Sequence, residues 1–268
     1  MKSERGQVNN DILPIASTKT WNTFLSRTSV SSLSSAAFSN PHLTGRANGL
    51  DEVLSTVKAL SLRRIPYEEI ERQDVVGEGE TFIVERCVVW NQTLAIKHLK
   101  TNMSPDDRAF RGRIQSTILE LRIMRHAPLR SHPNIITVLG YGWSTGISKI
   151  APYLLVQYAP YGTFRQYLQH TKPGTSITQK EILIGDVAAA ASALHLCGII
   201  HGDIKLDNVL IFHSWDRPAK SIAKISDFGH SLVVTGKEDS ERYLRYSGTF
   251  MLALFLPFIL YKFRLIGS

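Results

Sequence analysis

The chain has 268 residues, of which 43% are hydrophobic and 20% charged, so it can form one or two domains with a packed core. The formal net charge is +8, but the basic residues are scattered along the chain, which argues against a nucleic-acid-binding surface. Cys87 and Cys197 lack C-x-x-C spacing, so we predict buried free thiols in a reducing compartment, without a disulfide framework or zinc site. The amino-terminal residues contain no continuous apolar stretch of the secretory kind, and we therefore expect a cytoplasmic protein.

Residues 1–65 differ in composition from the rest of the chain. Ser17–Ser39 is rich in serine and threonine and poor in periodic apolar residues, so burial cannot offset its ordering entropy. We predict a disordered arm that contains a short helix over Leu50–Leu62. A phosphorylated regulatory arm and a transit peptide are the alternative interpretations of this segment.

Strand signals begin near Asp74-Val75-Val76, pass the Gly77-Glu78-Gly79 segment, and continue over Thr81–Trp90. A turn at Asn91-Gln92 and a strand over Thr93–Leu99 complete a predicted hairpin. A helix follows, with Ser104 as its N-cap and Pro105 as its first residue. Apolar residues recur along this helix at helical spacing, at Ile114, Ile118, Leu121 and Met124.

The second half of the chain alternates between strand and helix patterns. A long helix is predicted over Thr178–Leu196, where Thr178 and Glu181 form a capping-box pattern and Gly198 ends the helix. Shorter elements lie on both sides of it; they are strands over Ile135–Tyr141, Tyr153–Tyr158, Val209–Ile211 and Ala223–Ile225, and a helix over Phe164–His170.

The strongest chemical signal is the octapeptide His201–Asn208, which is followed by Asp227-Phe228-Gly229. The two segments contain carboxylates, an ammonium group and an amide in neighbouring loops. Phosphoryl transfer needs such a set, because it requires a group that orients the attacking hydroxyl, a cation near the moving charge, and oxygen ligands for Mg²⁺.

These two segments resemble the catalytic loop and metal-binding turn of eukaryotic-type protein kinases. Gly77-Glu78-Gly79 resembles the Gly-rich loop of the family, and the segment 154–159 resembles the linker between its two lobes, the lobe linker. His132-Pro133-Asn134 resembles a further family motif, so the similarity covers about Glu69 to Thr249. The resemblance implies an α+β, two-lobed fold with a small β-rich lobe and an incomplete, mainly helical large lobe. We expect a kinase domain at 66–249, and we expect the protein to be an ATP-dependent kinase that acts on protein substrates. A lysine two residues after the catalytic aspartate, here Lys205, is typical of the serine/threonine-directed branch of the family, so we expect a serine/threonine kinase.

The resemblance also implies roles for individual residues. Asp203 would orient the substrate hydroxyl as the catalytic base, and Lys205 would neutralise the transferring phosphoryl group. Asn208 and Asp227 would hold Mg²⁺, which prefers oxygen ligands. The resemblance also implies ATP-binding residues in the Gly-rich loop, the strands beside it, the next helix and the lobe linker. They are Gly77, Gly79, Val84, Ala95, Lys97, Glu120, Gln157 and Ala159.

Lys97 and Glu120 support each other in this interpretation. A carboxylate on the apolar side of a helix needs a cation, and the lysine–glutamate pair of the family supplies one. Taken alone, Lys97 would be a solvated lysine at a strand end, and Glu120 an ordinary surface residue.

The sequence departs from the family at three places. Phe82 replaces the third glycine of the Gly-rich loop, and Gly202 replaces the arginine that usually pairs with a phosphate on the activation segment. We therefore predict that phosphorylation is not required by that route; the positions that test this are Thr235, Ser240, Ser247 and Thr249.

The third departure is the carboxyl-terminal segment, where no A-P-E motif follows Thr249. The twelve residues Phe250–Tyr261 are apolar but would span only roughly 18 Å as a helix, short of the ~30 Å hydrocarbon core. We interpret 250–268 as an aberrant end without a selected structure. The alternative is a membrane anchor, and this segment is the one route to membrane association that the sequence offers.

Other functions remain open at this stage. A kinase-like fragment or pseudokinase could act as a nucleotide-binding interaction module with little transfer activity, and a membrane-tethered kinase would depend on the apolar tail. Small-molecule kinases share a similar catalytic loop, but the lobe linker and His132-Pro133-Asn134 favour protein substrates.

Overall fold

The computed structural model describes residues 49–101, 108–145, 150–170, 176–217 and 220–234. Within these ranges a β-rich lobe is followed by a mainly helical region, which confirms the predicted α+β fold class. Several expectations concern residues outside the described ranges: the arm before Gly49, the Ser104 N-cap, the phosphorylatable residues after Val234, and the apolar tail.

The small lobe is built on a five-stranded antiparallel sheet with the strand order β1-β2-β3-β5-β4. One face of this sheet carries a separate apolar cluster around Ile96, Tyr153 and Leu155, and the other face joins the main core of the protein. The strands are β1 Glu71–Glu78, β2 Phe82–Val89, β3 Gln92–Leu99, β4 Val138–Thr145 and β5 Ile150–Gln157.

Two predicted boundaries in this sheet are shifted. The β2–β3 turn lies at Trp90-Asn91, one residue earlier than predicted, with φ angles of 48° and 63° that match the twist of a two-residue hairpin. Strand β4 begins at Val138, because Ile135 lies outside the sheet and forms an isolated bridge with Ile225 instead.

Two helices pack together beside the sheet. Helix α1 covers Gly49–Ala59 and helix α2 covers Arg108–Arg125. The four apolar positions predicted for the second helix, from Ile114 to Met124, are all buried. Helix α1 corresponds to the helix predicted over Leu50–Leu62, and the ordered small lobe therefore extends into the segment that we assigned to the arm.

The helical region contains α3 Phe164–His170 and α4 Ile177–Leu196. The N-cap of α4 is Ser176, whose Oγ accepts the Gln179 N–H at 3.2 Å, so the predicted capping role of Thr178 is wrong. Gly198 follows the helix with φ +69°, as predicted. Two short ribbons complete this region; they are β6 Ile199–Ile200 with β9 Leu232–Val233, and β7 Val209–His213 with β8 Ser221–Ile225.

Both cysteines are free thiols, and Cys87 is buried whereas Cys197 is half-buried. Burial raises the pKa of each thiol to about 11, so both are protonated and unreactive at neutral pH. Among the helices in the described ranges, none is both long enough and apolar enough to cross a bilayer.

Candidate active site

A cavity of about 1230 Å³ lies between the small sheet and the helical region. All twelve residues that the sequence analysis selected line it, although they come from strands, a helix and loops spread over 150 positions of the chain. They are Gly77, Gly79, Val84, Ala95, Lys97, Glu120, Gln157, Ala159, Asp203, Lys205, Asn208 and Asp227.

Lys97 and Glu120 form a buried ion pair in this cavity. The Lys97 Nζ donates to Glu120 Oε1 at 2.5 Å, and their side chains are 13% and 2% exposed. Burial raises the pKa of the Glu120 carboxyl above its usual value, and the Lys97 ammonium opposes that shift. The pair links strand β3 to helix α2, because removing either partner would leave an uncompensated buried charge.

The Gly-rich loop lines the same cavity as this pair. A Cβ at Gly77 would meet no atom within 4 Å, so there is open space beside the loop at this residue. Phe82 instead points inward, and the Lys97 Nζ lies 4.4 Å from the centre of its ring. Sequence reasoning noted Phe82 as a missing glycine, but did not predict its cation–π contact with the lysine.

The lobe linker forms the apolar end of the cavity. Ala95 and Val156 are paired in register across β3 and β5 and are 6% and 4% exposed, so a small residue and a branched one face the same space. The Gln157 Oε1 accepts a hydrogen bond from the Lys224 Nζ at 3.0 Å. Burial lowers the pKa of Lys224 to about 8, and the sequence analysis did not identify this linker contact.

The catalytic loop lines the same cavity as Lys97. Asp203 Oδ2 accepts hydrogen bonds from Lys205 Nζ at 2.6 Å and from Asn208 Nδ2 at 2.9 Å. Burial acts to raise the pKa of Asp203, but the hydrogen bond and the positive charge of Lys205, together with the hydrogen bond from Asn208, hold the pKa below its usual value. Asp203 is therefore a fixed, ionised acceptor at neutral pH, with its side chain 31% exposed.

His201 connects the catalytic loop to the Asp227 turn. Its Nδ1 accepts the backbone N–H of Asp203 at 3.3 Å, and its Nε2 lies 3.0 Å from the carbonyl oxygen of Ser226. This pattern requires a neutral ring with the proton on Nε2, and burial accordingly lowers the pKa of His201 to about 4. The ring also packs against Phe228, with 5.2 Å between the centroids.

Asn208 and Asp227 fit a magnesium ion that shares its coordination with phosphate oxygens. The Asn208 amide nitrogen is hydrogen-bonded to Asp203, which leaves the amide oxygen as the available ligand atom. No hydrogen bond to the Asp227 carboxylate is found among the described residues, where no cluster of three or more His, Cys, Asp or Glu forms a metal cage. Magnesium is commonly held by one or two protein oxygens together with phosphates.

Gly202 has a structural role that the sequence analysis did not predict. Its φ is +81°, and a Cβ at this position would lie 2.3 Å from the carbonyl oxygen of His230. The catalytic loop and the residue after Asp227-Phe228-Gly229 therefore approach each other more closely than any side chain at position 202 allows. An arginine at this position is incompatible with this arrangement.

Comparison with known proteins agrees with this geometry. A model of the protein kinase domain matches residues 70–251. Two probable serine/threonine-protein kinases of Dictyostelium discoideum, gdt4 and gdt2, are 30% and 32% identical over 66% and 67% of the chain. The chain spans 10% of the length of each of these relatives.

A plant protein, the receptor-like cytosolic serine/threonine-protein kinase RBK1 of Arabidopsis thaliana, is 28% identical over 63% of the chain, which spans 35% of its length. The family generally uses ATP and Mg²⁺ and acts on protein substrates. The matched segment contains the Lys97–Glu120 pair and the whole catalytic loop. The chain therefore belongs to the protein kinase domain family.

Proposed function

We propose that this protein is an ATP-dependent serine/threonine protein kinase that transfers the γ-phosphoryl group of Mg-ATP to a protein hydroxyl. The observation that carries the proposal is that the Lys97–Glu120 pair lines the same cavity as Asp203, Asn208 and Asp227. Charges of both signs converge there on the space in which a triphosphate would lie.

The residues of the chain have separable roles in this reaction. Lys97, held by Glu120, would bind the α- and β-phosphates, and the glycines at 77 and 79 would leave room for them. The linker at Gln157 and Ala159 would bind the adenine through its backbone. Asn208 and Asp227 would hold Mg²⁺, which neutralises phosphate charge when it is bound.

Asp203 and Lys205 would act on the substrate hydroxyl and the moving phosphoryl group. Asp203 is ionised and oriented by two hydrogen bonds, so it is suited to accept a hydrogen bond from the hydroxyl and then its proton. Lys205 would offset charge on the transferred group. The choice of serine or threonine rests on the position of Lys205 and on the similarity to probable serine/threonine-protein kinases.

Thermal unfolding with and without Mg-ATP tests the nucleotide part of the proposal. A ligand at 100-fold excess over its dissociation constant stabilises the folded state by ~2.7 kcal/mol, so the wild-type melting temperature should rise. Lys97→Ala and Asp227→Ala should lose most of that rise. Arg130→Ala, at an exposed position in the turn after α2 and away from the cavity, is the matched control and should keep it. Equal increases in melting temperature for the wild type and all three variants would contradict the proposal.

A phosphorylation assay tests the transfer step. The full chain should phosphorylate serine or threonine in a generic protein substrate, and Asp203→Asn should lower the rate by about 100-fold or more, the usual contribution of a positioned general base. A chain that binds Mg-ATP but transfers no phosphate in an Asp203-dependent manner would instead be a nucleotide-binding interaction module.

A further inference from the structure

The segment Gly49–Ile65, which we call the strap, lies outside the catalytic machinery but contacts both elements that support the Lys97–Glu120 pair. It consists of helix α1 and the six residues that follow it. One part of the strap packs along helix α2, and its end is hydrogen-bonded to the edge strand β4.

The packing against α2 is close and apolar. Val53 and Val57 of the strap are 2% and 0% exposed and belong to the same buried cluster as Ile114. A Cβ at Gly49 would lie 3.1 Å from Ile114 Cγ1, which shows how near the strap backbone is to α2. A hydrogen bond from Gln115 Nε2 to Glu52 Oε2 of 3.1 Å adds a polar contact at the same turn.

The other end of the strap is attached at two points. The Arg125 side chain, at the end of α2, donates to the Leu60 carbonyl oxygen at 3.3 Å. The Ile65 N–H donates to the Tyr141 carbonyl oxygen at 2.9 Å, and the Tyr141 N–H donates to the Arg63 carbonyl oxygen at 3.0 Å.

Two glycines of β4 make this approach possible. A Cβ at Gly142 would lie 2.6 Å from the Ile65 carbonyl oxygen, and a Cβ at Gly140 would lie 2.5 Å from the Ile65 Cδ1 atom. The Tyr153 hydroxyl of β5 also donates to the Ile65 carbonyl oxygen at 2.7 Å. The end of the strap is therefore fixed to the sheet that carries Lys97.

Glu120 lies between the two strap anchors on α2, Gln115 and Arg125. Lys97 is on β3, which pairs with β5, which in turn pairs with β4. The strap thus connects the helix that carries the carboxylate to the sheet that carries the ammonium group. If α2 moved outward, the 2.5 Å contact between Lys97 and Glu120 would break while the sheet stayed intact.

We propose that the strap is a positioning element that holds α2 against the sheet, and that it sets nucleotide affinity through Glu120. Val53 and Val57 are its positioning residues, and neither lines the cavity. The proposal rests on the proposed nucleotide-binding function for its effect on affinity. The other part of the proposal, that the strap restrains α2, can be measured without nucleotide.

A double-mutant cycle in the full chain tests the proposal. The paired substitution Val53→Ala and Val57→Ala is made in the wild type and in Glu120→Gln, and the dissociation constant of Mg-ATP is measured by calorimetry. We expect affinity to fall about three- to tenfold in the wild type but less than about twofold in Glu120→Gln, because substitutions that act through the same backbone shift, here that of α2, are not additive. Equal losses in both backgrounds, or no loss in either, would overturn the proposal.

Val89→Ala is the matched control for lost stability. Val89 is 1% exposed and belongs to the cluster on the opposite face of the sheet, so its truncation should lower the melting temperature without weakening Mg-ATP binding. The single Val57→Ala variant gives the same comparison if the double variant does not fold.

Hydrogen exchange separates failure of this proposal from failure of the proposed function. The strap variant should speed amide exchange over residues 117–124 of α2 by about threefold or more, as expected when a helix loses buried tertiary contacts, whereas Val89→Ala should not. A wild type that binds no Mg-ATP would reject the proposed function alone. Unchanged exchange over 117–124 in the strap variant would reject the strap as a restraint on α2.

Discussion

Gly202 differs from the residue usual in the family, and the backbone conformation at this position also requires a glycine. The sequence analysis treated it as a missing arginine with a regulatory consequence. The structure adds that its φ is +81° and that the His230 carbonyl occupies the place of a Cβ. Restoring the family residue therefore conflicts with the loop geometry that positions Asp203.

We predict that Gly202→Ala destabilises the protein more than Gly198→Ala does. Both glycines have left-handed φ angles, but a Cβ at Gly198 would lie at an ordinary 3.5 Å from its nearest neighbour, the Val234 carbonyl oxygen. Each substitution should cost about 1–2 kcal/mol for backbone conformation. Gly202→Ala should cost roughly 1–3 kcal/mol more for the steric overlap, measured by urea unfolding, and equal losses would contradict the steric explanation.

Helix α4 and the β7–β8 ribbon are joined by a buried carboxylate. Asp186 on α4 accepts two hydrogen bonds from Arg217 Nη1, at 2.7 and 2.8 Å, and the Ala223 N–H at 2.9 Å. Burial raises the pKa of Asp186, and these hydrogen bonds partly oppose the shift. The ribbon leads directly into Ser226 and Asp227, so this contact supports the position of the turn at Asp227.

We predict that Asp186→Ala lowers the free energy of unfolding by about 3–5 kcal/mol, because it leaves a guanidinium and a backbone N–H without their partner. Asp186→Asn keeps an acceptor for Ala223 and should cost less. Arg165→Ala breaks the exposed pair with Asp207 and serves as the surface control, with an unchanged urea midpoint. If Asp186→Ala changed the urea midpoint as little as Arg165→Ala does, the ribbon would be held by apolar packing alone.

Two buried histidines make the stability of the whole molecule depend on pH. Burial lowers the pKa of both His132 and His201 to about 4, below the value of 6.5 expected in the unfolded chain. The unfolded chain therefore binds more protons between pH 6.5 and 4, so stability is full above pH 6.5 and is lost as the pH falls to 4. The pKa values of His98, His126 and His195 are lowered in the same direction.

We predict that His132→Asn flattens this pH dependence. Each histidine should contribute a slope of up to ~1.4 kcal/mol per pH unit below pH 6.5. Asparagine retains an acceptor for the Asn134 N–H, which is bonded to His132 Nδ1 at 3.2 Å, but has no proton to gain. Urea unfolding at pH 7.5, 6.5 and 5.5 measures the slope, and identical slopes for the variant and the wild type would show that His132 does not titrate on unfolding.

The sequence predicted which residues would meet at one site. The family resemblance selected twelve residues and all twelve line one cavity, because the glycines, the paired lysine and glutamate, and the loop carboxylates follow strands and helices that have their own local patterns. It also predicted most helices and strands. It was wrong where a neighbouring residue makes the same kind of contact, as Ser176 does when it caps helix α4 in place of Thr178.

Tertiary structure decided what lies against these residues. The strap on α2 and His230 against Gly202 join segments whose proximity depends on the path of the whole chain. Apolar periodicity shows which face of α1 is buried, but not which helix covers it. The sequence by itself thus determined which chemical groups the site contains, and the packing of distant segments decided how those groups are held.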